Sequence, residues 1–325
     1  MRAAMTQHDT VSPGDRQRRE SGPLRCTVIV NPVRVTDIDE RRAVVDAELA
    51  AAGWPAAHWV ETTESDPGAG QARQAVADGY DVVFACGGDG TVRSCVEGLA
   101  GSDAALAVLP AGTGNLLAAN LSLPDDPAEG VRLAVERGRR RMDVGEVDGQ
   151  VFAVMAGMGF DAQLLDSAST KLKSVIGSPA YVVSALKHLR DRSMQVEIRI
   201  DDDAPMRRSA RSVLVGNVGR LQGGVRLLPD AEPDNGQLEV AILAPRNLAH
   251  WVALAWGVLR RRKRVPNMEV LRGRHIVVTS ERSEPREMDG DVIEPGRVLD
   301  VRVRPGALWL CVPQPDRTPD MAQRA

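Results

Sequence analysis

The apolar run Val82-Val83-Phe84-Ala85 leads directly into Cys86-Gly87-Gly88-Asp89-Gly90-Thr91, and Val92 to Leu99 then reads as a helix. A glycine-rich turn between a buried strand and a helix lets backbone N–H groups approach a phosphate, with the positive end of the helix behind them. An aspartate inside such a turn repels phosphate unless a cation lies between, so Asp89 points to magnesium, held directly or through water. A second turn repeats the design: Ala105 to Leu109 is apolar, Pro110-Ala111-Gly112-Thr113-Gly114-Asn115 follows, and Leu116 to Leu121 starts a helix. Two such turns on strands of one parallel sheet face a common crevice at its carboxyl edge. Either turn alone has a structural reading; the pair is far more specific.

The first half alternates strand and helix patterns. Strands are expected at Cys26–Val30, Ala56–Glu61, Val82–Cys86 and Ala105–Leu109, and helices at Asp39–Ala52, Gly70–Ala77, Thr91–Leu99, Asn115–Leu121 and Pro127–Arg137. Val44, Val45, Leu49 and Ala52 share one helical stripe. This alternation predicts a doubly wound parallel sheet of Rossmann or flavodoxin type, covered on both faces. Near Arg139 the pattern changes to short Val- and Ile-rich runs bounded by Gly, Pro, Asp or Asn: Val151–Val154, Gln195–Ile200, Ser212–Gly216, Gln237–Leu243, His275–Thr279 and Leu299–Val303. These predict antiparallel β-structure, a β-sandwich or a barrel, interrupted by helices at Ala180–Arg190 and Leu248–Arg261. The expected organisation is a disordered tail over 1–23, an α/β nucleotide domain over 24–141 and a sandwich substrate domain over 142–304. A last strand over 305–313 returns to the first domain, and a second tail covers 314–325. The basic cluster Arg137 to Arg141 falls at the proposed hinge.

The chain has 325 residues and a net charge of −3, which predicts no bulk attraction to nucleic acid. Lysine occurs only at 171, 173, 187 and 263, so a phosphate clamp has to use arginine. The four cysteines form no C-x-x-C pair, and the five histidines form no metal motif. Buried thiols and reducing, cytoplasmic surroundings are expected. Residues 1–25 lack a signal-peptide apolar core, and no apolar run reaches transmembrane length.

With Asn31-Pro32 after the first strand and both glycine-rich turns, the chain resembles the diacylglycerol kinase catalytic-domain family, from about Leu24 to Pro313. That family includes soluble bacterial lipid kinases and is related to sphingosine, ceramide and, more distantly, NAD kinases. The resemblance implies ATP and Mg2+ as cofactors and a lipid substrate such as diacylglycerol, met at the inner face of a membrane; a homodimer stays open. It implies nucleotide contacts at Asn31, Thr62, Gly87, Gly88, Asp89, Gly90, Thr91, Gly112, Thr113 and Asn115. Gly157, Gly159, Asp161 and Ala162 match the G-x-G-x-D-A segment that begins the lipid-facing region, with Asp161 also readable as a helix N-cap. Met288-Asp289-Gly290-Asp291 matches the family's late D-G-E motif, placing the general base at Asp291 or Asp289. Asp289 and Asp291 alternate, so on an extended strand they point the same way; the plainer reading is a surface Asp-Gly-Asp turn.

Three departures from the family pattern stand out. Val33-Arg34-Val35 replaces the Ser-Gly-Lys that often follows Asn-Pro, leaving Arg34 as a partial substitute. Leu116 follows Asn115 where aspartate is common. Asp291 stands where glutamate is usual, shortening the arm by about 1.5 Å. The segment Leu228 to Leu238 resembles a loop that holds a structural magnesium in bacterial members, with Glu232, Asn235 and Gln237 at the matched positions; a Pro/Asp/Asn turn between strands is the competing reading. The run Trp251 to Leu259 followed by Arg260-Arg261-Arg262-Lys263-Arg264 reads either as a membrane-docking helix or as a buried helix with a solvated basic end. An NAD kinase-like enzyme and a catalytically inactive nucleotide- or lipid-binding protein are the alternatives to a lipid kinase; this chain has no Asn-Glu dipeptide of the kind NAD kinases use for ribose.

Overall fold

The structure, a computed structural model, describes residues 22–159, 193–220, 226–228, 230–260 and 265–313. In the first half the elements run β1 (Cys26–Val30), α1 (Ile38–Ala51), β2 (His58–Glu61), α2 (Ala69–Ala77), β3 (Val82–Gly87), α3 (Asp89–Leu99), β4 (Ala105–Pro110), α4 (Leu116–Leu121) and α5 (Pro127–Val135). The strands are parallel in the order β2-β1-β3-β4. Every residue of β1, β3 and β4 is buried, as expected of strands covered on both faces. The chain leaves β1 toward one edge of the sheet and later proceeds from β3 toward the other. The carboxyl ends of β1 and β3 therefore flank the switch point where such sheets open a crevice. Asn31 and the Gly87-Gly88 turn lie at those two ends.

The second half is built from β5 (Arg139–Val147), β6 (Gln150–Phe152), β7 (Met155–Met158), β8 (Met194–Ile200), β9 (Met206–Ala210), β10 (Ser212–Gly216), β11 (Leu238–Leu243), α6 (Leu248–Leu259), β12 (Met268–Gly273), β13 (His275–Met288) and β14 (Asp291–Cys311). One layer runs β12-β11-β10-β7 and then the carboxyl end of β13; the other carries β8, β9, β5 and β6. Strand β13 serves both. Ile276 to Ser280 pair with β8, whereas Arg286 to Met288 pair with β7, and register shifts lie between. Irregularities of this kind bend a strand from one layer into the other. The inner faces meet in one apolar core that includes Phe152, Met158, Ile198, Val213, Leu238, Val278 and Val301. Leu254 and Val258 of α6 pack on Leu214, Leu228 and Leu243.

The parallel first sheet and antiparallel second half match the sequence reading, but β9 and β12 were not expected, β13 and β14 run well beyond the expected 275–279 and 299–303, and the helix expected at Ala180–Arg190 lies outside the described residues. Arg139–Arg141, read as a hinge cluster, begins β5 and pairs with Cys311, Leu310 and Trp309. The arginines hide the strand because their charged ends leave the sheet: Arg140 bonds Asp234, and Arg141 lies 5.1 Å from the Trp309 ring centre. Val151–Val154, read as one strand, is broken at Ala153-Val154 between β6 and β7. The end of β14 adds to the first sheet, with Trp309 and Leu310 parallel to β4. Among the described residues no helix is long and apolar enough to cross a membrane. All four cysteines are buried, and burial pushes Cys26 up to about 12 and Cys86 to about 11.

Candidate active site

The two glycine-rich turns touch. A Cβ on Gly112 would lie 2.8 Å from the Gly88 Cα, so the second turn closes on the first only with glycine there. At Gly87 a Cβ would meet Thr91 Oγ1 at 2.6 Å, the contact that seats β3 against the first turn of α3. Ala111 N–H donates to Gly87 O (2.9 Å), and Gly112 N–H donates to Asn115 Oδ1 (3.1 Å). Asn115 takes a left-handed backbone conformation ahead of α4. Asp89 fastens the turns together: its Oδ1 accepts the N–H of Leu116 at 2.5 Å. Burial raises the Asp89 pKa, with neighbouring Asp291 adding to it and the Leu116 and Asn115 N–H groups opposing.

Asn31 organises the third strand end. Its Oδ1 accepts from the N–H groups of Val33 (3.0 Å) and Arg34 (3.2 Å), and its Nδ2 donates to Thr91 Oγ1 (3.3 Å). Arg34 is thereby brought to the rim of the crevice, opposite Gly88 to Thr91.

From the second half comes the hairpin joining β13 to β14. Met288 pairs with Asp291, leaving Asp289-Gly290 as a two-residue turn with φ of 51° and 89°. Asp-Gly is the pair such a tight hairpin favours. This corrects the expectation that Asp289 and Asp291 project from one extended strand. Asp289 is 6 % exposed, and its carboxylate accepts three backbone N–H groups: Ala153 (2.9 Å), Val154 (2.8 Å) and Met155 (2.9 Å). Burial outweighs these donors and lifts its pKa to about 6. The carboxylate closes the β6–β7 break and also lines the cleft. Asp291 differs: its side chain is half exposed, and Oδ2 accepts from Arg93 Nη2 at 3.1 Å.

These pieces enclose a cleft of about 360 Å3 between the halves of the molecule. Asn31, Gly88, Asp89, Gly90, Thr91, Gly112 and Thr113 line it from the first half, and Glu287, Asp289 and Asp291 from the second. Thr62, Gly87 and Asn115 are not in the lining. Thr62 donates its N–H to Val30 O behind it, and the loop that follows reaches the cleft through Pro67. Asp161 lies outside the described residues. Sequence reasoning missed Arg93 and Glu287. Arg93 is four residues after Asp89 on α3, a helical spacing that was available, but its partner is 198 residues away. Glu287 is buried in the cleft wall beside Gly157, and nothing local marked it.

The loop read as a structural magnesium site makes several contacts within the protein. Asn235 Oδ1 accepts from Gln237 N–H (2.9 Å), a side-chain turn. Asp143 then ties the loop to the end of β14. Its carboxylate accepts from Gly236 (2.6 Å) and Gly306 (2.7 Å), and its own N–H donates to Pro233 O (2.6 Å). Asn235, a neutral side chain with its oxygen engaged, is a weaker ligand for a hard cation than a carboxylate. Burial raises the Asp143 pKa, with the Gly306 and Gly236 N–H groups opposing.

Comparisons with known proteins fit this arrangement. Residues 25–147 match the model of the diacylglycerol kinase catalytic domain, and residues 153–312 match that of the YegS C-terminal NAD kinase beta sandwich-like domain. A "Probable lipid kinase YegS-like" protein of Pseudomonas fluorescens is 33 % identical, the alignment covering 85 % of this chain and 91 % of that one. A diacylglycerol kinase of Bacillus subtilis is 30 % identical over 78 % and 83 % of the two chains. Among solved structures, a diacylglycerol kinase from Bacillus anthracis superposes with a TM-score of 0.67 at 20 % identity, over 89 % of this chain and 97 % of that one. Yeast NADH kinase gives 0.51 at 13 %, over 90 % and 84 %. At such low identity these two speak for the fold.

Proposed function

Because the chain belongs to the diacylglycerol kinase catalytic-domain family, we propose that it is an ATP-dependent lipid kinase that transfers the γ-phosphate to a hydroxyl of diacylglycerol or a related lipid. The observation that carries this reading is the convergence of two contacting glycine turns with Asp89 and Asp291 on one cleft. Phosphoryl transfer to an alcohol depends on alignment and charge neutralisation more than on covalent chemistry. Backbone N–H groups of Gly88 to Thr91 and of Thr113 and Gly114 bind the nucleotide phosphates, helped by the amino-terminal end of α3. Arg34 is the cation on that rim. Asp291 accepts the proton of the acceptor hydroxyl, and Arg93 positions its carboxylate.

Four carboxylates line the cleft: Asp89, Glu287, Asp289 and Asp291. A triphosphate entering among them calls for a cation, and among the described residues no three His, Cys, Asp or Glu side chains form a metal cage. That donor chemistry suits magnesium, which is usually held by one or two carboxylates with phosphate oxygens and water. Asp89 would hold it, and it would neutralise charge on the transferred group. The sandwich half supplies the lipid-facing surface, with Asp161 as a candidate headgroup contact.

The test is a transfer assay with purified protein and γ-labelled ATP against mixed diacylglycerols, sphingoid bases and NAD. Labelled lipid is expected. Label on NAD alone would overturn the lipid assignment, and nucleotide binding without product on any acceptor would favour a binding protein.

A further inference from the structure

Besides the Arg93–Asp291 pair, a second side chain ties the two halves of the molecule together. Asn120 sits in the last turn of α4, where asparagine is a weaker helix former than alanine. Its Nδ2 donates to Leu116 O (2.9 Å) within the helix and to Arg220 O (2.9 Å) in the second half, and its Oδ1 accepts the Arg220 N–H (2.8 Å). The amide thus pairs with the main chain of Arg220 as a neighbouring strand would, through one donor and one acceptor. Arg220 Nη1 adds a bond to Ala119 O (3.1 Å).

Both ends of this tie lead to the reacting groups. On the first-half side, Leu116 N–H donates to Asp89 Oδ1 (2.5 Å), so the helix that Asn120 braces is the one that holds Asp89. Leu116 also meets the hairpin: a Cβ on Gly290 would lie 3.8 Å from its Cδ1. On the second-half side, Asn217 precedes Arg220 by one turn of chain and is buried. It donates its N–H to Val154 O (2.9 Å) and its Nδ2 to Ala153 O (3.0 Å). The N–H groups of Ala153 and Val154 are the ones that grip Asp289, next but one to Asp291. The path from Asp89 to Asp291 through Asn120 therefore runs through hydrogen bonds and short stretches of main chain. We propose that Asn120 is a positioning residue that sets the separation of the two walls of the cleft, and with it the distance from Asp89 to Asp291. Transfer needs both walls in register, whereas nucleotide binding uses mainly the first, so loosening the clasp lowers turnover before it lowers ATP affinity. The effect on turnover rests on the kinase reading; the effect on the wall separation does not.

Asn120→Ser is the deciding variant. A serine hydroxyl still bonds the carbonyl four residues earlier in its own helix, so Leu116 O keeps a donor, but the shorter side chain cannot pair with both Arg220 groups. Ala47 on α1 and Arg199 on β8 are exposed, and the four native cysteines are buried. Ala47→Cys with Arg199→Cys therefore takes one spin label on each half. The distribution of label-to-label distances is expected to widen or shift when Asn120→Ser is added. Steady-state kinetics with ATP and a diacylglycerol are expected to show kcat about tenfold lower, with the KM for ATP changed by less than about twofold. A melting temperature close to that of the unsubstituted chain separates positioning from unfolding. Where Asn120→Ser melts much lower, Asn120→Asp, which keeps the acceptor for Arg220 N–H and loses both donor bonds, is read by the same two measurements. An unchanged distance distribution would overturn the proposal, as would undiminished kcat or a parallel loss of kcat and ATP affinity. Should the unsubstituted protein transfer no phosphate, the kinase reading fails and the label distances alone decide the clasp.

Discussion

The glycine turns and the Met288–Asp291 hairpin are opposite walls of one cleft, built on different principles. The first wall is backbone: N–H groups at the ends of β3 and β4, brought together because Gly88 and Gly112 lack side chains. The second wall is side chain: Asp291 and Glu287, carried in by a strand that crosses from one layer of the sandwich to the other. Asp89 belongs to the first wall and shares its electrostatics with the second, since Asp291 contributes to its raised pKa. A backbone wall is fixed by local sequence, whereas a side-chain wall needs the whole second half in place.

The sharpest way to break this comparison is at Asp89, where the walls meet. Asp89→Ala should lower turnover roughly a thousandfold or more, as expected when a cation-holding carboxylate leaves a phosphoryl-transfer site. The fold should persist, checked by circular dichroism; an active variant would sink the role. Next is Asp291→Asn, expected to lower kcat by about a hundredfold to ten-thousandfold, the usual worth of a general base, with ATP affinity nearly unchanged. Equal losses in kcat and affinity would move Asp291 from proton transfer to binding. Gly112→Ala places a methyl 2.8 Å from the Gly88 Cα, a backbone contact that pushes the turns apart, so it should raise the KM for ATP on the order of tenfold and lower the melting temperature as well. Unchanged KM would show that the turns do not need to touch.

The smallest effect on chemistry, and a measurable one on stability, is expected at Asp289. Asp289→Asn puts an NH2 group among three N–H donors and should cost roughly 1–3 kcal/mol in urea unfolding. Its pH signature follows from a native pKa raised to about 6 by burial. Below the unfolded-state pKa both states hold the proton. As pH rises toward about 6 the unfolded chain releases it first, so this group's contribution falls by roughly 3 kcal/mol and then levels off. The asparagine variant should lack that fall; an identical pH profile in both proteins would contradict the burial argument.

The same contrast explains what could be read from the sequence. The parallel half was legible because buried strands and glycine turns are local signals, and β1, β3 and β4 lie where the apolar runs are. The hairpin was half legible. The residues stand out, but period-two alternation does not hold across an Asp-Gly pair that marks a tight turn, so Asp289 faces the β6–β7 main chain and Asp291 bonds Arg93. Arg93 and Glu287 were not legible, because their significance arises only when α3 meets β13 and β14. Strand β5 was hidden by arginines whose charged ends lie off the sheet.

The central claim is that the triphosphate lies between the two glycine turns with its terminal phosphate facing the β13–β14 hairpin. A crystal structure with a non-hydrolysable ATP analogue and magnesium tests this most directly. The account predicts phosphate oxygens on the N–H groups of Gly88 to Thr91 and of Thr113 and Gly114, with the γ-phosphate toward Asp291. A triphosphate bound away from these turns, or with its γ-phosphate turned from Asp291, would contradict it.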